Sequence, residues 1–227
     1  MKMIFDFSVV LAYKEILLNG LLITLELSAL IVFFGTIIGI LLAIGKTSEN
    51  PLIRRFSSLY SDFFRTMPFL VMLIWVYYVL PIAFGIKIGA FETAAIVLSL
   101  HLSAYVAELI RSGIEAIPKG QIEAAKTLGL SRLQTMRRIV LPQVFMQLFA
   151  PLTGLYIEQI KNTTLASVIA VNELLHSGQI LISQTYRPLE IYTAVAILFM
   201  IVLVPITFIS KRFEFSAFIK KIEAHQK

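Results

Sequence analysis

Glu158 and Asn162, in the stretch "YIEQIKNTT", are the residues whose types and spacing best suit solute binding. They lie four residues apart, so a helix places both on one face, and Thr163 follows directly. A carboxylate in apolar surroundings attracts a cation, such as the side chain of arginine, lysine or histidine. Lys161 competes for this role, because a cation three residues away could neutralise Glu158. The face is therefore a candidate contact for a basic or a polar neutral solute.

A polar stripe is predicted on an earlier helix. His101, Tyr105, Glu108 and Ser112 are separated by steps of four, three and four residues, which puts them on one side of a helix. A stripe of this kind must face protein or a water-filled cavity. His101 is therefore a further candidate for a solute pathway.

Other charges in the apolar sequence are predicted to be structural. Glu26, in "TLELS", is expected to bond to neighbouring helices, with contact to a solute as the alternative. Asp62 with Arg65, and Glu108 with Arg111, are three residues apart and are predicted to pair.

Several kinds of chemistry are excluded. The chain has no cysteine, so it has no disulfide, thiol nucleophile or cysteine metal site. No second histidine lies near His101 in the sequence, and we predict no metal site. No nucleophile, base and orienting group stand together at a recognisable spacing. We therefore expect a chain that is not an enzyme.

The stretch "GILLAIGKT", residues 39–47, superficially resembles a nucleotide-binding loop. It has five residues where that loop has four between its first glycine and its Gly-Lys pair, and it ends an apolar run. Gly45 and Lys46 instead predict a helix end with a cationic anchor at the lipid boundary.

The elements that must position these residues are predicted to be membrane-spanning helices. The chain is 58% hydrophobic and 15% charged, and its mean hydropathy is +0.83, far above that of a soluble domain. A helix needs about 20 apolar residues to cross a bilayer, and no alternating pattern typical of a barrel occurs. The predicted fold class is an all-α integral membrane protein. The five predicted spans cover about residues 16–44, 59–84, 90–110, 139–160 and 191–209.

The net charge of +6 arises mainly from basic residues between the apolar runs. With the amino terminus outside, most lysines and arginines fall on the cytoplasmic side, and this asymmetry predicts a cytoplasmic carboxyl terminus. Residues 163–182 are about long enough for a sixth span, but counting them would move the basic tail outside. We therefore predict short helices or a re-entrant segment there, on the outer side.

A polar and basic segment, about residues 118–138, separates the third and fourth spans. Glu123, Ala124 and Ala125 favour a helix, Gly129 interrupts it, and Ser131 can cap a second helix. The sequence thus predicts a helix-turn-helix on the cytoplasmic face. Such a helix could lie on anionic lipid or dock in a groove of a soluble partner, and composition alone leaves both open.

The string "EAAKTLGLSRLQTMRRIVLP", residues 123–142, resembles the signature of the membrane subunits of ATP-binding-cassette (ABC) importers. In that family this segment is a coupling helix that inserts into a cleft on the ATPase subunit. The resemblance therefore implies that role for Glu123, Ala124, Ala125 and Gly129. Stretches such as "SAYVAELIRSGIEAIPKG" and "KNTTLASVI" extend the resemblance over nearly the whole chain, to the branch that imports polar amino acids.

This resemblance implies a type I ABC importer permease with five transmembrane helices, in a single permease domain over residues 1–227. The implied setting is the cell (inner) membrane, in a homodimer or heterodimer of permease subunits. The other implied partners are two ATPase subunits, which bind ATP and Mg²⁺, and an extracellular or periplasmic substrate-binding protein. No cofactor is expected in this chain.

The alternative function is a self-contained amino acid transporter driven by an ion gradient. Such proteins often have paired, interrupted helices in two related halves. No internal symmetry of that kind is visible in this sequence, which favours the importer.

Overall fold

The computed structural model describes residues 6–225, and the side chains of residues 6–212. Every regular element in this part of the chain is helical. The α-helices are α1 (Ser8–Ala12), α2 (Lys14–Lys46), α3 (Pro51–Thr66), α4 (Phe69–Ile74), α5 (Leu80–Phe84), α6 (Ala90–Glu115), α7 (Lys119–Thr127), α8 (Arg132–Thr135), α9 (Leu141–Asn162), α10 (Leu174–Thr185) and α11 (Pro188–His225). Two π-helical turns, Trp75–Val79 and Met136–Val140, and a 3₁₀ segment, Thr163–Ile169, join some of them.

The predicted all-α membrane fold is confirmed. Within the described residues, four helical segments are long and apolar enough to cross a membrane, and a bent pair of helices makes a fifth candidate span. The four are α2, α6, the continuous segment Arg132–Ile169 that contains α9, and the part of α11 over Pro188–Arg212. The bent pair is α3 with the segment Phe69–Phe84.

The second predicted span is not one straight helix. α3 and the segment Phe69–Phe84 are bent by 100° relative to each other. Pro68 has no backbone N–H to donate, and its ring pushes the preceding residue out of the helical conformation. Met67 accordingly has a ψ angle of 131°. The predicted second span, over about residues 59–84, is therefore bent at its proline, a feature that apolar length alone does not reveal.

α2 and α6 pack side by side at the centre of the fold. Glycines of α2 meet large side chains of α6: a Cβ at Gly35 would lie 2.9 Å from Leu102, and one at Gly39 would lie 2.6 Å from Val106. Small residues let two membrane helices approach closely enough for extensive van der Waals contact. The buried core around this contact includes Leu27, Ile31, Leu73, Leu98 and Ile169.

α9 ends beside the middle of α2. The hydroxyl groups of Tyr156 on α9 and Thr36 on α2 are 2.9 Å apart, and the backbone N–H of Leu174 donates to Thr24 Oγ1 at 3.1 Å. At a rise of about 1.5 Å per residue, Thr24 and Thr36 each lie roughly 15 Å from one end of α2. The residues between Tyr156 and Leu174 therefore lie at the mid-level of the bundle.

The prediction of short helices within residues 163–182 is confirmed. α10 runs along the first half of α2, where Ser177 packs against Gly20. α9 itself stops at the mid-level of the bundle. The 3₁₀ segment turns there through Ala170, which has a φ angle of +59°, and α10 continues beside α2.

Candidate functional site

The hairpin, residues 118–138, lies at the end of the bundle where α2 and α6 end. A tight turn closes α7: the N–H of Leu130 donates to the Ala125 carbonyl and that of Gly129 to the Lys126 carbonyl, both at 3.0 Å. Gly129 has a φ angle of +76°, a left-handed conformation that glycine adopts without steric cost. The predicted interruption at Gly129 is therefore confirmed.

Ser131 begins the second helix of the hairpin through a capping box. Its Oγ accepts from the N–H of Gln134 at 3.3 Å, and the Gln134 side-chain oxygen accepts from the N–H of Ser131 at 2.8 Å. α8 then continues through a π-helical turn into α9, and Arg132 pairs with Glu49 in the loop after α2. The hairpin is thus continuous with one span and tied to the end of another.

The outer surface of the hairpin is partly apolar. Leu128 is 79% exposed and Leu133 is 77% exposed. Glu123 and Ala124 are also exposed, whereas Ala125 is buried. Large exposed apolar side chains next to polar ones are typical of an interaction surface.

A charged cluster joins α2, α3 and α6 near the same end. Glu108 on α6 accepts from the Lys46 ammonium at 2.6 Å, lies 3.6 Å from Arg65 Nη1 and pairs with Arg111. Arg111 also pairs with Glu115 at 2.5 Å. The predicted pairing of Glu108 with Arg111 is confirmed.

Two predictions about this cluster are wrong. Arg65 turns to Glu108 and to the ring of Tyr105, whose centroid is 5.7 Å from the guanidinium carbon, while Asp62 is exposed. Lys46 is not a lipid anchor, because its side chain is only 4% exposed and is held by Glu108. The first error arises because sequence spacing identifies partners on the same helix, whereas Arg65 pairs with a residue of another helix. The second arises because the position of Lys46 at the end of an apolar run does not reveal its partner on α6.

His101 is packed between two aromatic rings. Ring centroids lie 5.2 Å away at Phe69 and 4.9 Å away at Tyr105. The Nδ1 atom of His101 is buried and has no hydrogen-bond partner among the described residues. The predicted stripe on α6 thus faces protein at His101, Tyr105 and Glu108, whereas Ser112 is exposed.

α9 carries an open face that includes polar and charged side chains. Its members are exposed and recur at steps of three or four residues, which places them on one side of the helix. They are Gln147, Pro151, Gly154, Glu158 and Lys161. A Cβ at Gly154 would meet no atom within 4 Å, so the space in front of this face is open.

Glu158 and Lys161 do not pair with each other. Among residues 6–212, neither side chain makes a hydrogen bond or an ion pair. Lys161 instead lines a groove of about 280 Å³ between α9 and α11, together with Ile157, Leu203 and Phe208. The internal neutralisation that their spacing permits is therefore not found.

The other predicted pathway residues are distributed over the fold. Asn162 is half-buried one turn beyond Glu158, and Thr163 is buried, its hydroxyl donating to the Ile160 carbonyl at 2.7 Å. Glu26 is exposed on α2 and forms no bond to a neighbouring helix within the described part of the chain. The structure thus brings Glu158 and Asn162 together, and His101 and Glu26 lie on other helices.

Sequence reasoning missed two features near this face. Lys161 was treated only as a competitor of Glu158, and its exposure on the same face could not be read from spacing. Gln159 is buried, and its side-chain nitrogen has no partner among the described residues. In the part of the chain that the structure describes, no group of three or more potential ligands is placed to hold a metal ion.

A family model described as the inner membrane component of binding-protein-dependent transport systems matches residues 35–216. The chain belongs to this family. A curated relative of this inner membrane component, the glutamine transport system permease protein GlnP of Escherichia coli (strain K12), is 34% identical over 211 residues. The match covers 92% of this chain and 96% of the relative.

Two solved structures share the fold of this inner membrane component. A crystal structure of an amino acid ABC transporter with histidines matches with a TM-score of 0.88 and 33% identity, over 93% of this chain and 99% of that one. The MetNI methionine ABC transporter, in an inward-facing conformation, matches with a TM-score of 0.74 and 22% identity, over 91% of this chain and 98% of that one. The resemblance identified in the sequence and the type I permease fold are confirmed.

Proposed function

We propose that this chain is the transmembrane permease subunit of an ABC importer of polar amino acids, driven by ATP hydrolysis in a separate ATPase subunit. Membership of the family and the amino acid specificity named for its relatives support this proposal. ATP and Mg²⁺ bind to the ATPase in this scheme. The permease itself, one domain over residues 1–227, supplies a pathway and no catalytic group.

The exposed hairpin is the observation that carries the proposal. It presents Glu123 and Ala124 beside the exposed Leu128, and the exposed Leu133 follows at the start of the segment that contains α9. An amphipathic helix of this kind suits a groove on a soluble partner. Because the hairpin continues into α9, a rigid-body movement of an ATPase bound to it would tilt α9 and bias the pathway between two states.

The remaining partners follow from this arrangement. The hairpin faces the cytoplasm, the amino terminus lies outside, and a substrate-binding protein delivers the amino acid from that side. A second permease subunit, identical or related, completes the pathway. The basic residues near the hairpin end of the bundle fit this orientation.

Glu158 and Asn162 are the pathway residues that the geometry favours, because they share the end of α9 and Glu158 lies on its open face. Thr163 supports the turn that follows, and His101 and Glu26 are secondary candidates. Glu158 would bind a positive group of the substrate. That group is either the amino group of any amino acid or the side chain of a basic one.

The test is Glu123→Arg in the permease co-purified with its ATPase and reconstituted in vesicles. The variant is expected to reach the membrane at the normal level but to uncouple ATP hydrolysis from amino acid uptake, because a cation replaces the exposed carboxylate of the hairpin. Uptake and ATP hydrolysis are measured on the same vesicles.

Glu15→Arg is the matched control. It makes the same charge change at an exposed carboxylate in the first turn of α2, at the opposite end of the bundle from the hairpin. It should leave the ratio of uptake to hydrolysis unchanged. Normal coupling in Glu123→Arg, or the absence of any ATPase from the purified complex, would contradict the proposed docking.

A further inference from the structure

We infer that Glu158 and Lys161 together bind the two charged groups that every α-amino acid carries, Glu158 the ammonium group and Lys161 the carboxylate. This inference rests on the proposed function and deepens it, because it assigns recognition to the common backbone of the substrate rather than to a basic side chain.

The level of the two residues in the bundle is the first argument. They follow Tyr156, whose hydroxyl is 2.9 Å from that of Thr36 near the middle of α2. Roughly 15 Å of α2 separates Thr36 from Lys46, the end of that helix. A lysine at this depth is too far from the membrane surface to serve as an ordinary interfacial anchor.

The lack of partners is the second argument. Ionised side chains within a spanning helix are costly and normally pair with one another or with backbone carbonyls. Glu158 and Lys161 are close enough in sequence to pair, yet among residues 6–212 neither side chain makes an ion pair or a hydrogen bond. Two opposite charges that stay apart on an open face are available to a ligand that carries both charges.

Complementary spacing is the third argument. Residues three apart on a helix have Cβ atoms about 5–6 Å from each other, and both side chains are long and flexible. The ammonium and carboxylate groups of an α-amino acid are bonded to one carbon atom, so a single ligand can meet both side chains. Gly154, one turn before Glu158 on the same face, leaves the adjacent space open.

The experiment measures binding of radiolabelled glutamine to the purified permease–ATPase complex without the substrate-binding protein. Two competitors each lack one charge: glutamine α-amide has no carboxylate, and N-acetylglutamine has no ammonium group. For the wild-type complex, each should compete about tenfold or more weakly than glutamine, because each loses a charge-assisted hydrogen bond. If glutamine does not bind, the tightest of the twenty standard amino acids replaces it, with its own α-amide and N-acetyl derivative.

The variants assign each charge to its residue. Lys161→Gln should no longer discriminate against the α-amide but should still discriminate against the N-acetyl compound. Glu158→Gln should no longer discriminate against the N-acetyl compound but should still discriminate against the α-amide. Lys161→Arg, which restores a cation, should recover discrimination against the α-amide. Lys87→Gln, which removes an exposed lysine from the loop before α6, is the control and should behave as the wild type.

The contrary outcomes are distinct. Equal effects of both variants on both competitors, or no effect, would overturn the inference while leaving the proposed function intact. A loss confined to arginine and lysine in Glu158→Gln would assign Glu158 to the substrate side chain, and would also overturn it. A wild-type complex that binds none of the twenty amino acids would contradict the proposed function itself.

Discussion

Glu108 and Glu158 are both carboxylates in membrane-spanning helices, but their surroundings are opposite. Glu108 has three cations around it, drawn from three helices. Glu158 is exposed and has no partner among the described residues, although Lys161 lies within one turn. The contrast shows that helices of this fold can surround one carboxylate with cations while another carboxylate has none beside it. In the proposal made above, the open carboxylate of Glu158 binds a group from outside the chain.

The two sites also belong to parts of the fold that are held together differently. The Glu108 cluster links α2, α3 and α6 by ion pairs, and α2 and α6 are further packed through Gly35 and Gly39. α9, which carries Glu158, continues into the hairpin and touches α2 through the hydroxyls of Tyr156 and Thr36. A stationary unit around α2 and α6, with α9 moved by the hairpin, fits the import mechanism proposed above.

The largest expected effect comes from neutralising the two carboxylates in turn. Glu108→Gln should lower the free energy of unfolding by about 2 kcal/mol, because it leaves the buried Lys46 without its counter-charge. Glu158→Gln should change it by less than about 0.5 kcal/mol, since no interaction of this side chain with residues 6–212 is lost. Unfolding by titration with SDS, followed by circular dichroism, measures both.

Glu115→Gln is the control for the first variant. It removes an exposed carboxylate of the same helix whose only partner among the described side chains is Arg111, and its cost should be under about 1 kcal/mol. A Glu108→Gln protein as stable as the wild type would mean that the ion pairs of the Glu108 cluster do not stabilise the fold. A large loss in Glu158→Gln would mean that Glu158 has a structural partner.

A smaller effect is expected in double-mutant cycles, which compare the Lys46–Glu108 pair with the Lys161–Glu158 pair. Lys46→Met combined with Glu108→Gln should give a coupling energy of about 1–2 kcal/mol, because the groups are in contact. Lys161→Met combined with Glu158→Gln should give less than about 0.5 kcal/mol in the absence of substrate. Coupling energies of equal size in both cycles would contradict the conclusion that Lys46 and Glu108 are paired whereas Lys161 and Glu158 are not.

The spans and the hairpin could be predicted from the sequence because their causes are local. Apolar length determines whether a helix can cross a bilayer, and a glycine followed by a capping serine determines where the hairpin turns. The bend before Phe69 was also encoded locally, by Pro68, and was missed because apolar length was given more weight than the proline.

The partners of the charged residues could not be predicted, because they depend on how helices pack. Lys46 and Glu108 are 62 positions apart in sequence, and only the close approach of α2 and α6 brings them together. The level at which α9 ends also depends on helix packing, since Tyr156 contacts Thr36 of α2 and Leu174 contacts Thr24 of α2. Spacing correctly placed Glu158 and Asn162 on one face, but it could not show that Lys161 would leave Glu158 open.

The smallest expected effect concerns the contact that sets the level of the open face. Tyr156→Phe removes one hydrogen bond, from the hydroxyl that lies 2.9 Å from that of Thr36, and keeps the ring. Interhelical hydrogen bonds in membrane proteins contribute about 0.6 kcal/mol on average, so the loss in the SDS titration should be of that size. Thr36→Val should cost a similar amount, and the double variant no more than either single one, because both remove the same bond. Tyr78→Phe, at an exposed tyrosine, is the control and should cost nothing measurable. Additive losses in the double variant would show that the two hydroxyls do not bond, and would remove the principal evidence that Glu158 lies at mid-level while Glu108 lies near the hairpin.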